Sequence, residues 1–194
     1  MLDAIILAAG ESRRMGRLKP LIQLQGRTVL AHIEGALRQT EVRDIVVVVG
    51  YQAETIKQQA GISATFVENP EYSNGQFSSL QCGVQELAQD SDAVLVCLGD
   101  QPHIRPQWIT PLIQAFYDTR PKIIRPSFHG KGGHPVIYSA DVYEDILALP
   151  PTATAKTLMR RYQDSTHFVS IDTEGILFDA DTPEDLQRIQ SKFL

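Results

Sequence analysis

Short apolar runs alternate along this chain with segments of helical periodicity. Ala4–Ala9, Asp44–Val49, Ala64–Val67, Ala93–Leu98 and Ile123–Arg125 are too short for core helices and read as buried strands. A further strand runs to Tyr138, and Phe168–Ile171 is another. Between them, Thr28 caps a helix to about Gln39, with Val29, Leu30, Ile33, Ala36 and Leu37 on one face. Leu21–Leu24 with Gly26 forms a short turn, and Asn69-Pro70 another. Helices are expected over Glu54–Ala60, from a Ser78 or Ser79 cap to about Ala88, over Gln107–Tyr117, Asp141–Leu147 and Ala153–Tyr162. The apolar run Ile176–Phe178 reads as strand and leads to Asp179 and Asp181. Thr182, Pro183 and Asp185 then spell a capped helix start with a capping box, and that helix reaches about Lys192. This alternation predicts one α/β domain over residues 1–194, a three-layer α/β/α sandwich on a mostly parallel, Rossmann-like sheet.

Composition narrows the function class. The net charge of −5 argues against broad nucleic-acid binding, so any basic cluster is a local feature. No apolar stretch approaches membrane-spanning length. The opening MLDA has an acid where an export signal needs cations. Cys82 and Cys97 lack metal-ligand spacing, so a cytoplasmic protein with reduced thiols is expected.

The densest chemistry follows the first strand. AIILAAGESRRMGRLKPL breaks at Gly10 into a polar loop that carries Arg13, Arg14, Arg17 and Lys19 around Gly16. Glycine lets backbone approach a ligand, successive N–H groups form an anion nest, and cations neutralise charge. The loop lacks the contiguous Gly-Lys-Ser/Thr of a Walker loop and the three glycines of a dinucleotide fingerprint. It is a phosphate loop of a third kind. The plain alternative is a turn with solvated arginines, but four cations in seven residues would repel without an anion.

Acids supply the second half. Asp100 ends a buried strand at Gly99-Asp100-Gln101-Pro102, where open α/β sheets bind ligands. Asp179 or Asp181 follows the later apolar run, and either could instead cap the last helix; Asp181 is the closer to it. Two carboxylates at strand ends would hold one Mg²⁺ with open positions. Cationic loop and metal site together suggest nucleotidyl transfer, in which an acceptor attacks the α-phosphorus of a nucleoside triphosphate and pyrophosphate leaves. An acceptor phosphate is already ionised at neutral pH, which suits a sequence without a Ser-His-Asp or Cys-His constellation.

LAAGESRRMGRLKPL, NPEYSNGQFSSLQCG, LGDQPHI, GGHPV and DADTPEDL, in this order, resemble the motifs of the MobA-like nucleotidyltransferases over nearly the whole chain. Leu7-Ala8-Ala9-Gly10 with Ser12 and Gly-Asp-Gln-Pro is most similar to the molybdenum cofactor cytidylyltransferase branch. The resemblance implies the nucleotide-diphospho-sugar transferase type of sheet, CTP or another nucleoside triphosphate, Mg²⁺, and a molybdopterin-type acceptor. It implies that the backbone of Leu7, Ala8, Ala9 and Gly10, with Ser12, cradles the nucleotide, and that Arg13 and Lys19 contact the triphosphate. Asp100 would be the chief metal ligand, with Asp181 or Asp179 second. Gly75, Ser78, Ser79 and Gly83 would lie on the base or ribose side, and Gly133-His134-Pro135 would face the acceptor. His134 would bond the acceptor or merely shape the turn, whereas His32, His103, His129 and His167 read as structural or solvated. Gln76-Phe77 departs from the family's frequent methionine and small residue. Two other readings remain: transfer to another small phosphate such as a sugar phosphate, and a non-catalytic carrier that delivers molybdenum cofactor to a molybdenum hydroxylase by transient binding. Neither a nucleic-acid nor a membrane partner is expected.

Overall fold

Strand β1 (Leu2–Ala8) lies at the centre of the sheet and is buried along nearly its whole length, as an apolar run between two parallel neighbours must be. In the computed structural model, which describes all 194 residues, it pairs in parallel with β4 (Val42–Val49) and with β6 (Ala93–Leu98). β5 (Thr65–Glu68) adds in parallel beyond β4. On the other side, β9 (Val136–Ser139) runs antiparallel to β6 and to β7 (Ile123–Phe128). β10 (Thr166–Ser170) runs parallel to β7 at the sheet edge. The short β8 (Lys131–Gly132) folds back on β7 through His129 and Gly130, both at positive φ, the backbone that a tight hairpin turn requires. The order is β10-β7-β9-β6-β1-β4-β5, and β2 (Gln23–Leu24) with β3 (Arg27–Thr28) forms a separate small hairpin.

The sheet divides the core in two, because successive strand residues point to opposite faces. Ala4, Ile6 and Ala8 pack with Leu30, Ile33 and Leu112, under α1 (Val29–Leu37), α2 (Ala53–Gln59) and α4 (Pro106–Thr119). Ile5 packs instead with Val48, Leu80, Val94 and Ile146, under α3 (Gln76–Gln85), α5 (Tyr143–Ala148) and α6 (Ala155–Arg161). The three-layer, mostly parallel architecture expected from the alternation is present. Chain direction fixes the site: from β1 the chain moves to β4 and β5 on one side, then crosses to β6 on the other. That divergence opens a crevice beyond the C-terminal ends of β1 and β6.

Both predicted N-caps of this type are present. Thr28 Oγ1 accepts from the Ala31 N–H, and Thr182 with Asp185 forms the capping box of α7 (Pro183–Phe193). Two expectations are corrected. Ser78 and Ser79 do not cap α3: the helix begins at Gln76 behind Gly75, whose φ of 112° turns the chain before either serine. Only a residue without a Cβ takes that backbone freely, so the helix starts earlier than a serine cap implies and stops at Gln85. Ile176–Phe178 is not a strand. Glu174–Leu177 coils into a short 3₁₀ turn capped by Thr173, whose hydroxyl accepts from the Gly175 N–H.

Candidate functional site

The loop after β1 is wound around Ser12. This residue sits at φ 55°, and its carbonyl accepts from the N–H groups of Met15 and Gly16 at 3.0 and 3.2 Å. Its hydroxyl accepts from the Lys19 N–H at 3.1 Å. One residue thus fixes both the turn, through its carbonyl, and the point at which Lys19 leaves it, through its hydroxyl. Leu7, Ala8, Gly10, Ser12, Arg13, Lys19 and Asp100 line one open cavity of about 520 Å³ in the crevice. Ala9 does not; it is buried, and its carbonyl accepts from the Tyr51 N–H.

Asp100 and Asp181 converge on Lys19. The ammonium donates to Asp100 Oδ2 at 3.0 Å and to Asp181 Oδ1 at 2.6 Å. Arg14 holds the other oxygen of Asp181 at 2.8 Å. Burial alone would lower the Lys19 pKa, but Asp181 and Asp100 outweigh it and hold the ammonium above its ordinary range. The bond from Lys19, with attraction from Arg14, holds the Asp181 carboxyl below its usual range. Asp179 moves the other way: partial desolvation, then repulsion from Asp100, raises it. Its Oδ1 accepts from the buried Gln101 amide at 2.9 Å.

Backbone contacts bring these residues together. The Gly99 N–H donates to the Leu7 carbonyl at 2.9 Å, and a Cβ at Gly99 would come within 2.7 Å of that oxygen. The glycine before Asp100 therefore lets the ends of β6 and β1 close up. The Ala180 N–H donates to the Asp100 carbonyl at 2.9 Å, which lays the segment of Asp179 and Asp181 alongside. Tyr72, which also lines the cavity, Arg14 and Gln101 carry no signal of their own in the sequence. Arg14 was visible only as one of four loop cations, and Gln101 only as the neighbour of Asp100.

No three His, Cys, Asp or Glu side chains are arranged to hold a metal by themselves. Asp100 and Asp181 offer two carboxylates, and Asp100 Oδ1 is buried with no hydrogen-bond partner. An oxygen-only donor pair with an unsatisfied oxygen fits a hard divalent cation completed by phosphate oxygens.

The other expected ligands lie elsewhere. Gly75 and His134 line a second, smaller cavity of about 220 Å³, which shares Leu7 and Gln76 with the first. Ser78 and Ser79 are buried under the 69–71 turn, where the Asn69 amide donates to both hydroxyls at 2.9 and 3.0 Å. Gly83 faces the sheet, where a Cβ would lie 2.9 Å from Ile5 and 3.0 Å from Val48. These three line neither cavity. Burial, then the positive charge of Arg125, pushes the His134 imidazole down to about 4. Of the remaining histidines, His103 is buried against Trp108 and Phe193, and His32 bonds the Leu24 carbonyl. No helix is long and apolar enough to cross a membrane.

Comparison with known proteins gives the family. The MobA-like NTP transferase domain model matches residues 4–166. Over 99% of this chain and 97% of the relative, the sequence is 24% identical to the molybdenum cofactor cytidylyltransferase of Escherichia coli. It is 34% identical over 116 residues to the bifunctional protein GlmU of Symbiobacterium thermophilum, and spans about a quarter (25%) of that protein's length. The fold superposes on Rv0371c of Mycobacterium tuberculosis with a TM-score of 0.85, at 23% identity, over 98% of this chain and 97% of the other. The same mycobacterial protein is also solved in complex with manganese, at a TM-score of 0.81, 21% identity, and 98% coverage of each chain. This chain belongs to the MobA-like NTP transferase family.

Proposed function

We propose that the chain transfers CMP from CTP to a molybdopterin-type acceptor carrying molybdenum, with release of pyrophosphate. The observation that carries the reading is the convergence of Asp100 and Asp181 on Lys19, with Lys19 and Asp100 lining the loop cavity. The similarity to a molybdenum cofactor cytidylyltransferase along almost the full chain supports the choice of nucleotide and acceptor.

The residues divide the work by position. Backbone at Leu7, Ala8 and Gly10 lines the cavity for the nucleotide, and Arg13 adds positive charge at its rim. Asp100 and Asp181 would hold Mg²⁺, which when bound neutralises phosphate charge. Lys19, freed from the two acids as the triphosphate arrives, stabilises charge developing on the α-phosphate. An oxygen of the acceptor phosphate forms the new bond to the α-phosphorus, and the bond to the bridging oxygen of the β-phosphate breaks. No proton has to be removed, because the acceptor oxygen is already ionised. Positioning and charge neutralisation account for the rate. Delivery of the product to a molybdenum hydroxylase by transient binding follows from the same reading.

The test is pyrophosphate release from CTP, GTP, ATP or UTP with Mg²⁺ and molybdenum-loaded molybdopterin. Release selective for CTP and dependent on both metal and acceptor is expected. Release with a sugar phosphate but not with molybdopterin would move the activity to another acceptor. No release with any pair, while the cofactor still binds, would favour a carrier.

A further inference from the structure

A third cavity lies against the loop that follows β1. Glu11, Ser12, Arg13, Arg17, Tyr51 and Gln52 line it, and it is open, with a volume of about 430 Å³. It shares Glu11, Ser12 and Arg13 with the large cavity but includes neither Lys19 nor Asp100. Arg13 and Arg17 each follow a residue at positive φ, Ser12 at 55° and Gly16 at 64°, so two bends bring both side chains to one hollow. The loop cations differ in how they are neutralised. Arg13 pairs with Glu11, Arg14 with Asp181, and Lys19 with Asp100 and Asp181, whereas exposed Arg17 alone of the four forms no ion pair. Glu11, the one acid in this cavity, is engaged by Arg13. Tyr51 and Gln52 add neutral hydrogen-bond donors. The Ser12 hydroxyl accepts from the Lys19 N–H and so keeps its own proton to give. A free guanidinium, a second one held by a single carboxylate, and neutral donors around them suit a ligand with two adjacent phosphates.

We infer that this outer cavity is a product site for inorganic pyrophosphate, with Arg17 as its principal contact. The inference rests on the nucleotidyl-transfer reading, in which pyrophosphate is released in the large cavity. Arg13 lines both cavities, so it can keep hold of one phosphate while the other moves to Arg17. Departure on this side takes the diphosphate away from Asp100, whose negative charge opposes it. The plain alternative is a solvated arginine, the commonest state of this residue type. It predicts that Arg17 affects the binding of no ligand.

The test is calorimetric titration of the full chain with inorganic pyrophosphate and, separately, with CTP, both in Mg²⁺. Saturable binding of pyrophosphate to the wild type is expected. Arg17→Gln should weaken it roughly ten- to a hundredfold, the worth of a hydrogen bond to a charged group, and leave CTP affinity unchanged. Arg17→Lys should restore part of the loss. Gln52→Glu adds a carboxylate to the outer lining alone and should weaken pyrophosphate binding without weakening CTP binding. A wild type that binds CTP but no pyrophosphate, or normal pyrophosphate binding in Arg17→Gln or in Gln52→Glu, overturns the inference and leaves the transfer reading intact. Equal weakening of CTP and pyrophosphate in Arg17→Gln also overturns it, because Arg17 would then contact the triphosphate itself. A wild type that binds no CTP, with pyrophosphate binding still dependent on Arg17, would sink the transfer reading and leave the pyrophosphate site standing.

Discussion

Lys19 holds the cavity's acids in place by standing between them. Its side chain is only 14% exposed, so its bonds to Asp100 and Asp181 are not those of a solvated surface pair. Replacing it should act on the chemical step: Lys19→Ala is expected to lower single-turnover pyrophosphate release by roughly 10²–10³-fold, as loss of a charge at a developing oxyanion does. CTP affinity measured alongside separates the roles, and a loss confined to affinity would make Lys19 a recognition residue. His134 gives a pH dependence. Its folded pKa of about 4 lies below the unfolded value of ~6.5, so the unfolded state binds more protons between them. Stability is full above pH ~6.5 and falls as pH drops toward 4, by on the order of 3 kcal/mol from this residue. Urea unfolding between pH 4.5 and 7 should show that slope, and His134→Phe should remove most of it; His103, also lowered by burial, supplies the remainder. Asp100 was legible in the sequence because it follows Gly99 at the end of an apolar run, and Lys19 because it is one of four cations clustered after the first strand. The loop-winding part of Ser12 was not: a non-glycine residue at φ 55° leaves no sequence signal.

Helices α3 and α7 aim the pieces of the site. α3 lies close on the sheet because Gly83 has no side chain between it and Ile5 and Val48. Gly83→Val should overpack that contact and cost about 1–3 kcal/mol, read as a lower urea midpoint. α7 starts two residues beyond Asp181, at Pro183, and its capping box fixes where that acid emerges. Thr182→Ala should cost about 1 kcal/mol and also weaken metal-dependent CTP binding, whereas a cap replaced at the far end of the chain would not. The capping box could be read from residues alone, since Thr182 and Asp185 lie three positions apart in one local segment. The start of α3 could not, because Ser78 and Ser79 have cap chemistry while Gly75 has the required backbone. The 174–177 turn was also hidden: an apolar triplet fits a strand, and only Trp108, 2.5 Å from a Cβ at Gly175, shows how tightly that turn is packed.

Across the molecule, the site joins three distant parts of the chain. Lys19 and Asp181 are 162 residues apart in sequence, and Lys19 and Asp100 are 81 apart. Their convergence follows from β1 lying between β4 and β6 and from the 179–181 segment bonding to the end of β6. The layered class was legible from the alternation of strand and helix periods. The reversal of β9 and the split into two cavities were not, because pairing partners are set by contacts that no local pattern encodes. The most direct measurement of the central claim is a thermal-shift titration of CTP with and without Mg²⁺, on wild type and on Asp100→Ala. A ligand that binds only the folded protein raises its melting temperature with its affinity. The account predicts a large shift with Mg²⁺ and CTP together, a small one with either alone, and no joint effect in an Asp100→Ala protein of unchanged fold. Equal shifts in both proteins, or none with any nucleoside triphosphate, would contradict it.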